Sequence, residues 1–335
     1  MVNWYLESGK DSDVVLSTRV RIARNISGLP FKAKQTEEDK NYLLNKLSEI
    51  TPQIGYGLKF LKIKDIDDIT KISLVEKHLI SPEFINENYG AILINNEENI
   101  CIMVNEEDHL RIQVFGAGLS VKEVQNLAME IEEKIGKLLT YAYNNEYGYI
   151  TSCPTNLGTG MRISIMTQLT ALNKTGNIRK MLEIVQNLGM NIRGVYGEGS
   201  KASANIYQIS NKQTLGITEA ELAENILQII EKIVKQERVG RKLLAKDQMG
   251  LEDNVYRAFG TLKYCKKISH EECENLLSEI KLGTDLGIIK ELTDAKVLKL
   301  QLYTKPANLQ KYVGEKLNAY ERDIKRAEVI NNIIN

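Results

Sequence analysis

The 335-residue sequence carries no excess charge of either sign: Lys plus Arg and Asp plus Glu number 44 each. A balanced total argues against a general nucleic-acid binder, whose surface is usually basic. No uninterrupted apolar run approaches the length of a membrane span. The opening Met1-Val2-Asn3-Trp4-Tyr5-Leu6-Glu7 lacks the cationic start and apolar stretch of a signal peptide, so a soluble, cytoplasmic protein is expected. The four cysteines, Cys101, Cys153, Cys265 and Cys273, form no C-x-x-C pair, which argues against a disulfide scaffold or a zinc site. Cys265, His270 and Cys273 are close in sequence but lack a fourth ligand nearby, and no metal site is expected.

What is present is ordinary for a globular protein, with 43% hydrophobic and 26% charged residues and a length that suits more than one domain. Residues 14–22 alternate, placing Val20 and Ile22 on one face and Arg19 and Arg21 on the other. Runs at 91–94, 100–104 and 110–114, joined by polar turns, predict an antiparallel meander. Helices are predicted over 37–50, 120–139 and 178–188. From about Thr218 the pattern is helical, with capping-box signatures at Thr218-x-x-Glu221 and Ser269-x-x-Glu272. Pro306 opens a further helix in which Leu309, Val313, Leu317 and Tyr320 follow at helical spacing. The expected class is α+β, with a catalytic domain over 1–235 and a helical C-terminal domain over 236–335.

Five arginines, Arg19, Arg21, Arg111, Arg162 and Arg193, stand in strand or loop contexts. Guanidinium groups bind phosphate oxygens bidentately and stay charged, and a triphosphate brings about four negative charges to meet them. Taken singly, each is more often a surface residue or an ion-pair partner. Familiar phosphate loops do not fit. Gly194 and Gly199 have P-loop spacing, but Ser200-Lys201 follows in reversed order. Gly116-x-Gly118 lacks the third glycine of a dinucleotide fingerprint. If ATP binds, arginines must hold its phosphates. Glu106-Glu107-Asp108 forms a dense carboxylate turn, and Glu198 lies between two glycines. Two carboxylates gripping a guanidinium would hold it in line for attack on phosphorus, one of them accepting its proton.

Four stretches carry a family resemblance: Ser17-Thr18-Arg19-Val20-Arg21, the Asn105–Arg111 segment, the Cys153–Arg162 segment and Arg193-Gly194-Val195-Tyr196-Gly197-Glu198. Together, in this order, they resemble the phosphagen (guanidino) kinases. The resemblance implies a curved antiparallel sheet flanked by helices and an ATP site drawn from Ser17–Arg21, His78, Arg111, Arg162-Ile163-Ser164-Ile165-Met166 and Arg193–Glu198. Magnesium would come with the nucleotide, without a protein cage. Glu107 matches the catalytic carboxylate, Glu198 the second guanidinium-gripping carboxylate, and Cys153 a cysteine beside the substrate, where a thiolate would suit the charge.

The chain departs from kinases of free creatine or arginine. Only sixteen residues precede Ser17, and about a hundred helical residues follow the core. Both features resemble the protein arginine kinases of bacteria, which modify arginines within proteins. Arg322-Asp323-Ile324-Lys325-Arg326-Ala327 resembles their phosphoarginine-binding motif, with Arg322 and Arg326 on one helix face and Asp323 adjacent. The resemblance implies autophosphorylation, allosteric feedback by phosphoarginine, a role in stress response and proteolysis, and a homodimer or higher assembly. It suggests as partners a heat-shock repressor, a zinc-binding activator protein and a Clp ATPase, with neither nucleic acid nor membrane. A free-guanidine kinase and a silent phosphoarginine-binding adaptor are the alternatives; a ligase related to glutamine synthetase would need more than three histidines and their partner carboxylates.

Overall fold

The computed structural model describes residues 3–194 and 203–335. Among the described residues there are ten strands: β1 (Val15–Arg24), β2 (Lys59–Lys62), β3 (Ala91–Ile94), β4 (Ile100–Val104), β5 (Leu110–Ala117), the short pair β6 (Tyr143–Asn144) and β7 (Gly148–Tyr149), β8 (Met161–Gln168), β9 (Met190–Gly194) and β10 (Ile206–Asn211). Eight of them form one sheet in the order β2-β3-β4-β5-β1-β8-β10-β9. Every neighbouring pair is antiparallel. The meander β3-β4-β5 follows from short apolar runs and tight turns, as expected. The insertion of β1 between β5 and β8 does not follow from local pattern.

Three helices cover one face of the sheet: α1 (Glu37–Ile54), α3 (Val121–Leu138) and the first part of α6 (Glu219–Leu244). In α3 the apolar residues Val121, Val124, Ala128, Ile131 and Ile135 recur at three- and four-residue spacing, so one stripe faces Val20, Ile22, Ile112 and Ile163 of the strands. Thr36 and Thr218 cap α1 and α6 with complete capping boxes. The shorter α4 (Thr170–Lys174) and α5 (Ile178–Asn187) pack around this core, whereas α2 (Asp68–Glu76) sends Leu74 into a separate cluster. Towards β2, the other face is covered by a smaller cluster that includes Leu79, Phe84, Ile92 and Phe115, and its remainder is open.

A second core belongs to α7 (Gln248–Tyr264), α8 (His270–Asp285), α9 (Asp294–Tyr303) and α11 (Ala319–Ile334), while α10 (Pro306–Val313) packs against α2, α9 and α11. The helix α6 runs unbroken through residues 235 and 236. The helix predicted from Pro306 through Tyr320 is two helices. Gly314 takes a left-handed conformation (φ 75°) that ends α10, and Asn318 with Glu321 forms a capping box that starts α11. At the start of α8 the Ser269 side chain accepts the Glu272 N–H, forming half of the expected box. No helix among the described residues is long and apolar enough to cross a membrane.

Candidate active site

Strand alternation and register build the open face row by row. Arg21 of β1 lies opposite Gln113 of β5 on one side and Arg162 of β8 on the other. One row along, Arg19 lies between Phe115 and Ser164. In the other direction Ala23 pairs with Arg111. Beyond Arg19, Ser17, Met166, Gln208 and Arg193 line up across β1, β8, β10 and β9. Residues directly opposite in an antiparallel pair share a face. The five arginines predicted to hold phosphate therefore project from one surface. They line a cleft of about 950 Å³ together with His78, Glu107 and Cys153.

Like charges at this density repel. Burial, with Arg111 and Arg162 beside it, pushes the Arg19 guanidinium down to about 10. Arg21 is lowered further by burial and by Arg111, Arg19 and Arg162, and Arg162 by burial, Arg193 and Arg111. All stay protonated near neutral pH. The buried Nε of Arg162 finds no hydrogen-bond partner among the described residues. A buried donor without an acceptor, inside a cluster of cations, fits a multiply charged oxyanion.

At one end of the rows stands the carboxylate turn. Asn105 opens it with φ 60°, a backbone state that Asn tolerates better than most residues. The three acids then divide their work. Glu106, with 12% of its side chain exposed, accepts from Arg111 Nη1 at 2.7 Å and from Ser81 Oγ at 2.7 Å. Glu107 is 42% exposed and accepts from Arg111 Nη2 at 3.1 Å. Asp108 is buried, and its Oδ1 accepts from Asn25 Nδ2 at 2.7 Å and the Ser152 N–H at 2.6 Å. Asp108 thus ties the turn to the loop that carries Cys153, whose Sγ lies 3.0 Å from Thr155 Oγ1. Glu107 is the acid free to turn towards an incoming cation. The anchoring by Glu106, Asp108 and Asn25 was not predicted; the dense acidic turn was visible, but its roles depend on partners far along the chain.

The remaining predicted residues fall in several places. Thr18, Val20, Ile163 and Ile165 turn into the core, and Thr18 Oγ1 donates to the Gly118 carbonyl. Ser17, Ser164 and Met166 share the arginine face by register, and Gly194 lines the cleft. Val195, Tyr196, Gly197 and Glu198 lie outside the described residues. On α11, Arg322 is half-buried and donates to the Leu317 carbonyl. Arg326 is buried; its Nε donates to the Thr304 carbonyl, and its Nη1 to the Ile268 carbonyl and to Asp323 Oδ1. Ala327 is buried beside them.

A sheet of this order, with arginines across its open face and a carboxylate at one end, defines a class. Residues 41–239 match the C-terminal catalytic domain of the ATP:guanido phosphotransferases. The chain belongs to this family of kinases. Residues 248–335 match the C-terminal domain of protein-arginine kinase McsB. The chain is 41% identical over 336 residues to the protein-arginine kinase of Halothermothrix orenii, covering 99% of this chain and 96% of that one. It is 41% identical over 334 residues to that of Bacillus cereus strain G9842, covering 98% and 94%. Among solved structures it resembles lombricine kinase (TM-score 0.60, 26% identity, 69% of this chain and 68% of that one). It also resembles the duplicated taurocyamine kinase of Schistosoma mansoni with bound transition state analog components (TM-score 0.62, 26% identity, 76% of this chain and 38% of that one).

Proposed function

We propose that this chain transfers the terminal phosphoryl group of ATP, carried with Mg²⁺, to the guanidinium of arginine residues in proteins. The carrying observation is the row of Arg111, Arg21, Arg162 and Arg19 on one face, ending at the half-exposed Glu107. The arginines would hold the phosphate oxygens and take up charge as the phosphoryl group passes, which is most of what this chemistry asks of a protein. The acceptor nitrogen attacks the γ-phosphorus, and the bond to the bridging oxygen breaks. ADP leaves, a P–N bond forms, and Glu107 takes the nitrogen's proton. Glu198 and Cys153 are assigned to the acceptor guanidinium on the family resemblance.

The names of the relatives support a protein acceptor. The division into units 1–235 and 236–335, the homodimer, the cytoplasmic location and the phosphoarginine site at Arg322, Asp323, Arg326 and Ala327 belong to the same proposal. So do autophosphorylation, the stress and Clp-degradation roles, and partnership with a heat-shock repressor and an activator. The alternative is a kinase of free guanidines, the chemistry that the names lombricine kinase and taurocyamine kinase describe. Incubation with MgATP and either an arginine-rich protein or free arginine separates the two. Acid-labile phosphate on protein arginine, read by mass spectrometry, is the expected result. Phosphorylation of free arginine alone would defeat the proposal.

A further inference from the structure

Scattered singly, exposed aliphatic side chains need no explanation, but several gathered in one place mark an interaction site. Ile184, Leu188, Val239 and Leu243 are each close to half exposed. All four line one groove of about 460 Å³, with α5 as one wall and α6 as the other. Its floor is made by Leu172, Val185, Ile229 and Ile233, which are buried in the main core. Gly240 lets α6 come close to α4 at the base of the groove, since a Cβ there would lie 3.3 Å from the Ala171 Cβ. Among the described residues the groove shares no lining residue with the arginine cleft.

From Ile229 to Leu243 the α6 wall runs about 21 Å at 1.5 Å per residue, room for roughly four helical turns. Ile229, Ile233, Gln236, Gly240 and Leu243 recur at three- and four-residue spacing, so they form one continuous ridge along the trough. The charge of the groove has one sign. Lys180 and Lys232 line it, and no described carboxylate does. The adjoining pocket on α6 shares Val239 and adds Lys235, Lys242 and Glu231. Its Arg238 is already taken by Asp11 and Asp13, at 2.7 and 2.6 Å. None of the four lysines forms an ion pair among the described residues.

We propose that this groove docks an amphipathic helix of a partner protein. Apolar side chains at i, i+3 or i+4, and i+7 would enter the trough, and Asp or Glu on the helix flanks would meet Lys180, Lys232, Lys235 and Lys242. Recognition of a helix in a groove needs a long apolar trough, which α5 and α6 present. Charges of opposite sign along the margins fix the register and steer the approach. A second copy of this chain suits the groove less well, because a two-fold contact sets a patch against itself and so lysine against lysine. A membrane also suits it less well. The half-exposed aliphatics line the inside of a concavity, whereas an interfacial element offers a protruding apolar face. Docking of this kind is independent of phosphoryl transfer.

The test is fluorescence anisotropy of the full chain with a labelled helical peptide of about four turns, carrying Leu along one face and Glu on the others. A scrambled peptide of the same composition and a version with Lys in place of Glu are the controls. The Leu/Glu peptide should bind at least about tenfold more tightly than either control. Val239→Glu combined with Leu243→Glu should weaken it about tenfold or more. Lys180→Glu combined with Lys232→Glu should weaken it as well and should strengthen binding of the Leu/Lys peptide, a gain that a misfolded chain cannot produce. Absence of binding to the wild type, equal binding of the scrambled peptide, or affinity untouched by both double variants overturns the proposal. Without peptide binding, wild-type capture by phosphatidylglycerol vesicles that Val239→Glu with Leu243→Glu abolishes would make this a membrane face. Self-association abolished by the same pair, again without peptide binding, would make it a face between copies. Either result overturns the partner helix.

Discussion

Arg21 and Arg162 face each other on neighbouring strands, like charge against like charge. Such pairs destabilise a sheet, so their placement makes sense only around an anion. The acidic turn shows the complementary logic. Glu106 is spent on Arg111 and Ser81, which leaves the more exposed Glu107 for chemistry. Glu107→Gln should lower phosphoryl transfer by about 10²- to 10⁴-fold while ATP binding persists; turnover near wild type would remove Glu107 from the role of base. His78 makes a pH prediction. Its ring is held neutral, down to about 3 against an ordinary 6.5. Below 6.5 the unfolded chain therefore binds a proton that the folded one refuses. The stability linked to this group is complete above about 6.5 and drains away as pH falls towards 3. His78→Asn, chosen because Asn tolerates the left-handed backbone at φ 61°, should flatten the fall of melting temperature across that window. Superimposable pH profiles would refute it. Arg19 and Arg21 were legible from strand alternation, which is local, and Arg111, Arg162 and Arg193 from their turn and loop contexts. The division of labour among Glu106, Glu107 and Asp108 was not, because Asn25 and Ser152 reach Asp108 only through tertiary packing.

At the scale of elements, several joints rest on carboxylates set against helix starts, where backbone N–H groups lack partners. Glu237 of α6 is fully buried and accepts the N–H groups of Ala171 and Leu172 in α4 at 2.8 and 2.9 Å. It also accepts from Arg241 Nε at 3.4 Å. Burial raises its carboxyl pKa, and those donors oppose the rise. Glu237→Ala strands both N–H groups, while Arg241 keeps Asp13 and Asp285, and should cost about 2–3 kcal/mol, read as a lower urea midpoint with an unchanged slope. Helices α1, α3 and α5 were predicted within a few residues of their observed ends because their apolar stripes repeat strongly. The break between α10 and α11 went unseen because residues on both sides keep helical spacing. Gly314 and the Asn318–Glu321 box outweigh that periodicity.

For the whole molecule, the open face trades stability for binding. MgATP at a hundred times its dissociation constant should stabilise the protein by about 2.7 kcal/mol, read as a rise in melting temperature. Arg21→Gln should stabilise the unliganded protein by up to about 1 kcal/mol, by relieving repulsion from Arg162, and should shrink the ATP-dependent rise. A destabilised unliganded variant that keeps its full response to ATP would contradict this account. The two cores are joined by long-range bonds. Ser73 Oγ donates to Asn308 Oδ1 at 2.8 Å, across 235 positions of sequence. Lys174 of α4 pairs with Glu279 of α8 at 2.9 Å.

The sequence by itself determined the class α+β, the alternation that puts Arg19 and Arg21 on one face, and the helical character after Thr218. It also held the four motifs that led to the guanidino kinases. Each of these is written in neighbouring residues, where backbone geometry alone decides which way side chains point. The tertiary structure decided that β1 lies between β5 and β8, which lines Gln113, Arg21 and Arg162 up in one row. It also decided that Glu76 anchors α10 and that α9 lines a smaller cavity beside the cleft. Those choices depend on register and docking between segments far apart in the chain, and no local periodicity encodes which strand or helix becomes the neighbour.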